Sequence, residues 1–471
     1  MASLTARALA SLLGDWRSSS MPAYASLADR IRLLMLDGRV VSGTRLPAER
    51  DLAQHLGISR TTVTAAYSEV REAGYLESVR GSGSIARLPG RGPLMSEQGE
   101  SALFDFTKAA MPAISGIADA ASHAIEDLPR YLGEHGYDLI GIPPLREAIA
   151  EQYRRRGLAT SAEQIMVTIG AQHAIALLAR TLIGRGDSAV IEVPTYPHAF
   201  EAMRGAGARI LPVSVTVEDG WDEPALEQAI RRSSPAMGYL MPDFHNPTGR
   251  TMPPEQRERV ARLAAQHGTQ LLIDETMAEL VIDDIEPVAP FAAFGEAITV
   301  GSVGKTVWGG IRIGWIRAEA PLIQRLFRNR HAGDLGTPII EQLVVLHLLA
   351  DHDRIIETRR RQLRTGRDHL VGLLRARFPQ WSVPDVAGGL TTWVNLGAPV
   401  SSQLTLAARA EGLLITAGPR FGIDGAFERH LRIPFGYTPE EMDAAVDALD
   451  RAWRSLAHDV PAPVDELSVV V

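Results

Sequence analysis

Among the 48 basic residues of this chain two are lysines, Lys108 and Lys305, and the other 46 are arginines. A lysine amine can lose its proton when buried and condense with a carbonyl to a Schiff base; a guanidinium stays charged and cannot. Lys305 lies in Gly301-Ser302-Val303-Gly304-Lys305, directly after the apolar run Ala297-Ile298-Thr299-Val300. That is the pattern of a strand delivering a lysine into a tight turn. A surface lysine that escaped an arginine-rich codon bias explains the count equally well, so the neighbouring motifs must separate the two readings. Lys108, in Phe104-Asp105-Phe106-Thr107-Lys108, has no such surroundings, and a solvent-facing or structural role is expected for it.

Asp274 closes the apolar run Leu271-Leu272-Ile273. A carboxylate there can pair with a protonated ring nitrogen and keep the ring an electron sink. Asn246, in His245-Asn246-Pro247-Thr248-Gly249, can donate to a phenolic oxygen. Gly170-Ala171-Gln172 follows a strand-like run and opens a helix, whose free amides suit a phosphate. Ser302 and Arg312, on either side of Lys305, can complete that cradle, and Tyr196 in Pro194-Thr195-Tyr196-Pro197 can stack on a ring. Singly these have plainer readings, since strand-end aspartates are common and Asn-Pro and Thr-Gly suit an ordinary turn. Together, in this order and all at strand ends, they form a constellation for pyridoxal phosphate. Open α/β sheets gather ligands at the carboxyl ends of their strands.

The elements that must position these residues follow from the rest of the chain. At 471 residues two or three domains are expected. No run of 18 apolar residues occurs and the first twenty residues lack the pattern of a signal peptide, so a cytoplasmic protein without membrane contact is the simplest expectation. The absence of cysteine excludes disulfides, zinc–cysteine sites and iron–sulfur clusters. Net charge is −8, split as +3 over residues 1–90 and −11 over the remainder, which permits nucleic-acid binding at the front. Residues 88–103 are rich in Gly, Pro and Ser and read as a linker. Beyond it, β-rich runs at 164–168, 189–193, 237–241, 270–274 and 297–300 alternate with helical patterns, which predicts a mainly parallel α/β sheet. The expected layout is an N-terminal extension at 1–23, a front domain at 24–87, the linker, and a body at 104–471. The body divides into a large lobe at about 150–335 and a small lobe at about 340–458.

In the front domain, helices are expected over about 26–36, from 49 to 56, and over 60–73, with Gly57 in the turn and Ser59 as the cap of the last. A hairpin is expected over 75–85. Helix, tight turn, helix and hairpin make a winged helix-turn-helix. Its third helix would present Ser59, Arg60, Thr61, Thr62 and Thr64 to double-stranded DNA, where arginine can bond guanine bidentately and hydroxyls suit phosphates or base edges. A capped helical hairpin of no particular function would also begin with Ser-Arg-Thr-Thr.

The whole segment resembles the DNA-binding domain of the GntR family of bacterial repressors. The match is carried by Gly43-Thr44-Arg45-Leu46-Pro47-Ala48-Glu49-Arg50, Leu56-Gly57-Ile58-Ser59-Arg60-Thr61-Thr62-Val63, Gly74-Tyr75-Leu76 and Gly81-Ser82-Gly83. The resemblance implies DNA contacts from Arg50, Arg60, Thr61 and Thr62, with Arg80 and Gly81 at the wing; Thr64 replaces an arginine of some members. The body resembles the fold-type I aminotransferases. That implies an internal aldimine on Lys305, Asp274 on the pyridine nitrogen, Asn246 on the phenolic oxygen and Tyr196 on the ring. Gly170, Ala171, Gln172, Ser302 and Arg312 would hold the phosphate. Tyr137 would reach the phosphate of a neighbouring subunit, and Arg432 in Leu431-Arg432-Ile433-Pro434-Phe435 would clamp an α-carboxylate.

The chain departs from the family pattern in two respects. Thr276 and Met277 stand where a tyrosine usually serves the phenolic oxygen. His198 stands where a relative sensing γ-aminobutyrate has an arginine, so that ligand is not expected here. A GntR-type reader joined to such a body is similar to the MocR/GabR transcription regulators. The resemblance implies a head-to-tail homodimer that holds pyridoxal phosphate and responds to an amino compound or to the cofactor itself. A working aminotransferase with an accessory DNA-binding domain is the alternative.

Overall fold

The computed structural model describes residues 3–14, 16–17, 22–37, 39–79, 83–87, 104–423 and 425–456. The expected linker, and with it Arg80 and Gly81 of the wing, lie outside the described residues.

Among its described residues the front domain has four helices and a hairpin: α1 (Ala6–Leu13), α2 (Ala23–Leu36), α3 (Glu49–Leu56), α4 (Arg60–Glu72), β1 (Leu76–Val79) and β2 (Gly83–Ala86). The apolar stripe of α2, Leu27, Ile31, Leu34 and Met35, is buried against Leu52 of α3 and Val63, Ala66 and Val70 of α4. Leu9 and Leu13 of α1 enter the same core. Gly57 ends α3 at φ +63°, a left-handed conformation that a side chain would resist, and this lets the chain reverse into α4. Ser59 caps α4 by accepting from the Thr62 amide at 3.1 Å. The Tyr67 hydroxyl, donating to the Pro47 carbonyl at 3.0 Å, ties α4 to the entry of α3. β1 and β2 pair antiparallel, Leu76 facing Ala86 and Val79 facing Gly83.

An eight-stranded sheet fills the body in the order Ile165–Thr168, Gly314–Arg317, Ile298–Ser302, Gln270–Asp274, Met237–Leu240, Ser188–Val193, Arg209–Thr216, Gly220–Trp221. The five strands from Ile298–Ser302 to Arg209–Thr216 are parallel, and Gly314–Arg317 runs antiparallel to both its neighbours. Buried Val, Ile, Leu and Met cover both faces of the central strands, as helix-flanked parallel sheets require.

The small lobe packs the helices His352–Arg377, Ser401–Ala410 and Pro439–Leu456 on a three-stranded sheet, Thr391–Asn395, His430–Pro434 and Thr416–Ala417. Leu370, Leu374, Phe378, Leu404, Leu431 and Phe435 form the centre of its core. The strand Phe104–Asp105, first after the linker, pairs parallel with Leu413–Leu414 and so fastens the start of the body to this lobe. Among the described residues no helix is long and apolar enough to cross a membrane.

Candidate functional site

Five strands end at one rim of the large sheet, and each delivers a residue singled out in the sequence. The strand Ile165–Thr168 leads to Gly170, the N-cap of helix Ala171–Leu182. Ser188–Val193 leads through a cis Val193–Pro194 peptide to Tyr196, and Met237–Leu240 to Asn246 in a turn with a cis Asn246–Pro247 peptide. Asp274 closes the strand Gln270–Asp274, and Ser302 closes Ile298–Ser302 three residues before Lys305. These side chains converge on a cavity of about 260 Å³, lined by Ala171, Gln172, Tyr196, Asn246, Asp274, Ser302, Lys305 and Arg312 among others.

Asp274 is held at both oxygens. Oδ2 accepts from the buried Tyr239 hydroxyl at 2.7 Å, and Oδ1 accepts from the Thr276 hydroxyl at 2.6 Å and the Thr276 amide at 3.0 Å. Thr276 is therefore committed to positioning the carboxylate, and Met277 beside it is an apolar wall of the cavity. The usual ring tyrosine has no replacement at either position. Lys305 Nζ donates to the Ala109 carbonyl. Burial, with the nearby Arg432 and Arg312 guanidinium groups, lowers its amine to about 8 against the opposing pull of Asp274. Burial and Asp274 push the Tyr196 phenol up to about 12.

The far end of the cavity is lined by Arg312 and Ser302, with Gly170 beside Arg312. Arg312 adopts φ +53°, and its guanidinium donates to the Ile169 carbonyl at 3.2 Å. Gly170, at φ +81°, sits against this guanidinium: a Cβ there would lie 2.7 Å from Arg312 Nη2, so Arg312 would have to shift. The Ser302 hydroxyl donates to the Ile313 carbonyl and accepts from the Gly304 amide, both at 3.0 Å, which shapes the lysine turn. Asn246 Oδ1 and Gln172 Oε1 are buried without a hydrogen-bond partner among the described residues. Orphaned polar atoms in a cavity with a cationic rim point to a polar occupant.

A second cavity of about 580 Å³ shares Tyr196, Asn246 and Lys305 with the first and opens outward past Arg432. Arg432 is buried, donates through Nη2 to the Thr107 carbonyl, lies over the Phe421 ring at 5.0 Å, and has no partner for Nε among the described residues. Burial lowers its guanidinium to about 10. Among the described residues Arg432 has no carboxylate partner. The segment after the linker crosses the site, so that its carbonyls at Thr107 and Ala109 hold both cations. Lys108 is exposed, paired with Asp105 at 2.9 Å, and lines the outer cavity. Tyr137 lines neither cavity; its ring is exposed on the short pair Tyr137–Asp138 with Thr337–Pro338.

Arg50, Ser59, Arg60, Thr61 and Thr64 are exposed on the front domain, and Thr62 is half-buried. The Ser59 hydroxyl lies 2.7 Å from the hydroxyls of both Thr61 and Thr62, and Thr64 donates to Glu49 at 2.7 Å. Arg60, exposed at the helix start, lies 3.9 Å from Glu49. Sequence reasoning missed the inner partners Tyr239 and Arg359 and the outer-wall residues Asp37, Arg409 and Arg420. Arg359 is fully buried and donates to the carbonyls of Thr306 and Pro112 at 2.7 and 2.6 Å, bracing the turn that carries Lys305. None of these lies in a local motif.

Residues 119–449 match the aminotransferase class I and II family, and residues 23–85 match the bacterial regulatory proteins of the gntR family. The HTH-type transcriptional regulator YdfD of Bacillus subtilis is 24% identical over 480 residues, covering 94% of this chain and 98% of its own. The HTH-type transcriptional regulator NorG of Staphylococcus aureus is 28% identical over 331 residues, 69% of this chain and 73% of its own. The 2-aminoadipate transaminase of Thermus thermophilus is 29% identical over 327 residues, 67% of this chain and 80% of its own. A solved structure of LysN, the α-aminoadipate aminotransferase of Thermus thermophilus complexed with N-(5'-phosphopyridoxyl)-L-leucine, aligns with a TM-score of 0.69 at 26% identity, covering 76% of this chain and 94% of that one.

Proposed function

Because the chain belongs to the class I and II aminotransferase family and carries a gntR-family regulatory domain ahead of it, we propose that it is a DNA-binding transcription regulator of the MocR/GabR type, holding pyridoxal phosphate on Lys305 and answering to an amino compound. The observation that carries this reading is a shared cavity: Lys305 and Arg432 line it together with Leu33, Leu36 and Asp37 of the DNA-reading domain. Whatever occupies the cavity can therefore bias how that domain is held.

The residues present fit the cofactor. The Ala171 and Gln172 amides at a helix start, with Ser302 and Arg312, suit its phosphate. Asp274, fixed by Tyr239 and Thr276, suits its ring nitrogen, and the free Asn246 Oδ1 and Gln172 Oε1 atoms suit its polar substituents. When bound, pyridoxal phosphate supplies an aldehyde that condenses with amines and a ring that accepts electrons. The protein supplies a Lys305 amine that is partly neutral near physiological pH and an Arg432 fork for the α-carboxylate. A head-to-tail homodimer suits the exposed Tyr137 and the exposed apolar residues Leu132, Leu335 and Ile340.

One observation favours the second reading, an aminotransferase that turns over: Lys305, Asp274, Asn246 and Arg432 are all present at one site. Met277 in place of a phenol donor weighs against efficient turnover. Borohydride trapping separates a cofactor-loaded regulator from an empty one. Reduction of protein mixed with pyridoxal phosphate should place the label on Lys305, and none on Lys108. Label on Lys108 alone, or none at all, would overturn the cofactor assignment.

A further inference from the structure

Behind the turn that carries Asn246 lies a carboxylate with no part in the site so far. Glu192, on the strand Ser188–Val193 and four residues before Tyr196, is fully buried. No arginine or lysine pairs with it among the described residues; donors surround it instead, as a buried carboxylate requires. Oε1 accepts from Trp221 Nε1 at 2.5 Å and from the Met241 amide at 3.0 Å, and Oε2 accepts from the same amide at 2.9 Å. Oε2 also lies 3.4 Å from Nε2 of His245, a residue equally buried. His245 Nδ1 lies 2.9 Å from the Thr248 hydroxyl and accepts from the Thr248 amide at 3.5 Å, which assigns the ring proton to Nε2, facing Glu192. The Trp221 ring meets the His245 ring edge-on at 5.7 Å.

The backbone of His245 closes the turn as well. Its amide donates to the Arg250 carbonyl at 2.8 Å, and its carbonyl accepts from the Gly249 amide at 2.6 Å. Glu192 therefore grips this segment at two points: Met241, just past the strand Met237–Leu240, and His245, the neighbour of Asn246. The Asn246 side chain makes no hydrogen bond of its own among the described residues, so its aim is set by the turn. Neither Glu192 nor His245 lines the cofactor cavity. Resting on the reading that Lys305 holds pyridoxal phosphate and Asn246 meets its phenolic oxygen, we propose that Glu192 and His245 are positioning residues for that oxygen, acting through Asn246. With Met277 where a phenol donor usually stands, Asn246 is the donor left for this task. A donor on the phenolic oxygen draws off charge that would otherwise hold the imine proton, and so lowers the pH at which the Schiff base loses it. The aim of Asn246, fixed from behind by the buried pair, sets that pH.

The test uses the full chain loaded with pyridoxal phosphate. It reads the pH midpoint of the visible Schiff-base band, with urea unfolding of the same proteins alongside. Asn246→Ala should raise the midpoint by about 1–2 units, the worth of one charged hydrogen bond. Glu192→Gln and His245→Phe should each raise it by at least about 0.5 unit, and neither should add to the shift in an Asn246→Ala background. His245→Gln, which keeps a nitrogen donor toward Glu192, should bring the midpoint back toward that of the wild type. Trp221→Phe, the mildest change, takes one donor from Glu192 and should give a smaller rise; it decides the matter where the buried variants do not fold. A lowered urea midpoint with an unmoved band midpoint would make the pair structural only and overturn the proposal. So would a Glu192→Gln shift that persists in full without Asn246. An Asn246→Ala midpoint equal to the wild type overturns the placement of Asn246 and the proposal with it, and absence of any band in the wild type overturns the cofactor reading beneath both.

Discussion

The lowered basicity of Lys305 has a consequence that the scarcity of lysine makes easy to read. The structure lowers this amine from 10.5 to about 8, through burial first and the Arg432 charge second. At about pH 7.5 an amine titrating at 8 is roughly 24% neutral, whereas one at 10.5 is roughly 0.1% neutral. Only the neutral form is nucleophilic, so Lys305 should react about 200 times faster at that pH than an unperturbed amine of equal access. The assay is trace labelling of cofactor-free protein with isotopic acetic anhydride across a pH series, followed by digestion and mass spectrometry. With two lysines in the chain, the Lys305 peptide is unambiguous. Its labelling should rise with a midpoint near 8, and Arg432→Gln should move that midpoint upward, because a neighbouring positive charge is gone. A wild-type midpoint at 10.5, or an Arg432→Gln midpoint that moves down, would refute the claim that burial beside Arg432 tunes the amine.

Three other outcomes follow from the geometry. Arg60→Ala should weaken operator binding by roughly 5- to 150-fold, through loss of about 1–3 kcal/mol of base recognition, with a smaller loss on unrelated DNA in the same gel-shift or anisotropy assay. Arg432→Gln should weaken amino-acid binding by roughly 10- to 150-fold, the worth of about 1.5–3 kcal/mol for a charged hydrogen bond, measured by the Schiff-base band against ligand concentration. Arg30→Ala leaves Glu428 facing the α2 interface without its cation and should lower the first urea unfolding midpoint by the equivalent of about 1–3 kcal/mol; an unchanged midpoint would mean α2 is not held through this pair.

Much of the site was legible because its residues sit at strand ends in local motifs. Gly-Ala-Gln, Asn-Pro-Thr-Gly and the lysine turn each combine an apolar run with a turn residue, and that pairing survives in one dimension. The four-helix-turn signals of the front domain were equally local: Gly57 must reverse the chain, and Ser59 must cap. The strand Gly314–Arg317 was not legible, since Gly-Trp-Ile-Arg shows neither alternation nor a long apolar run, and its antiparallel place in a parallel sheet is decided by its neighbours. Helix α1 is eight residues long, too short to stand without the core it joins. Tyr239 is a strand residue whose partner, Asp274, lies on the adjacent strand, so nothing in its own segment marks it. Asp37 and Arg420 are separated by most of the chain, and only the docking of α2 on the small lobe brings them to one cavity.

The central claim is that one chain links a cofactor on Lys305 to the reading of DNA. It is tested most directly by titrating full-length protein onto DNA from upstream of its own and adjacent genes, without and with pyridoxal phosphate, then with candidate amino compounds, for wild type and Lys305→Ala in parallel. The account predicts sequence-specific binding whose affinity an amino compound shifts by about 5- to 150-fold in the cofactor-loaded wild type and leaves unmoved in Lys305→Ala. Binding that is indifferent to cofactor and amine in both proteins, or sustained transamination with no sequence-specific binding, would contradict it.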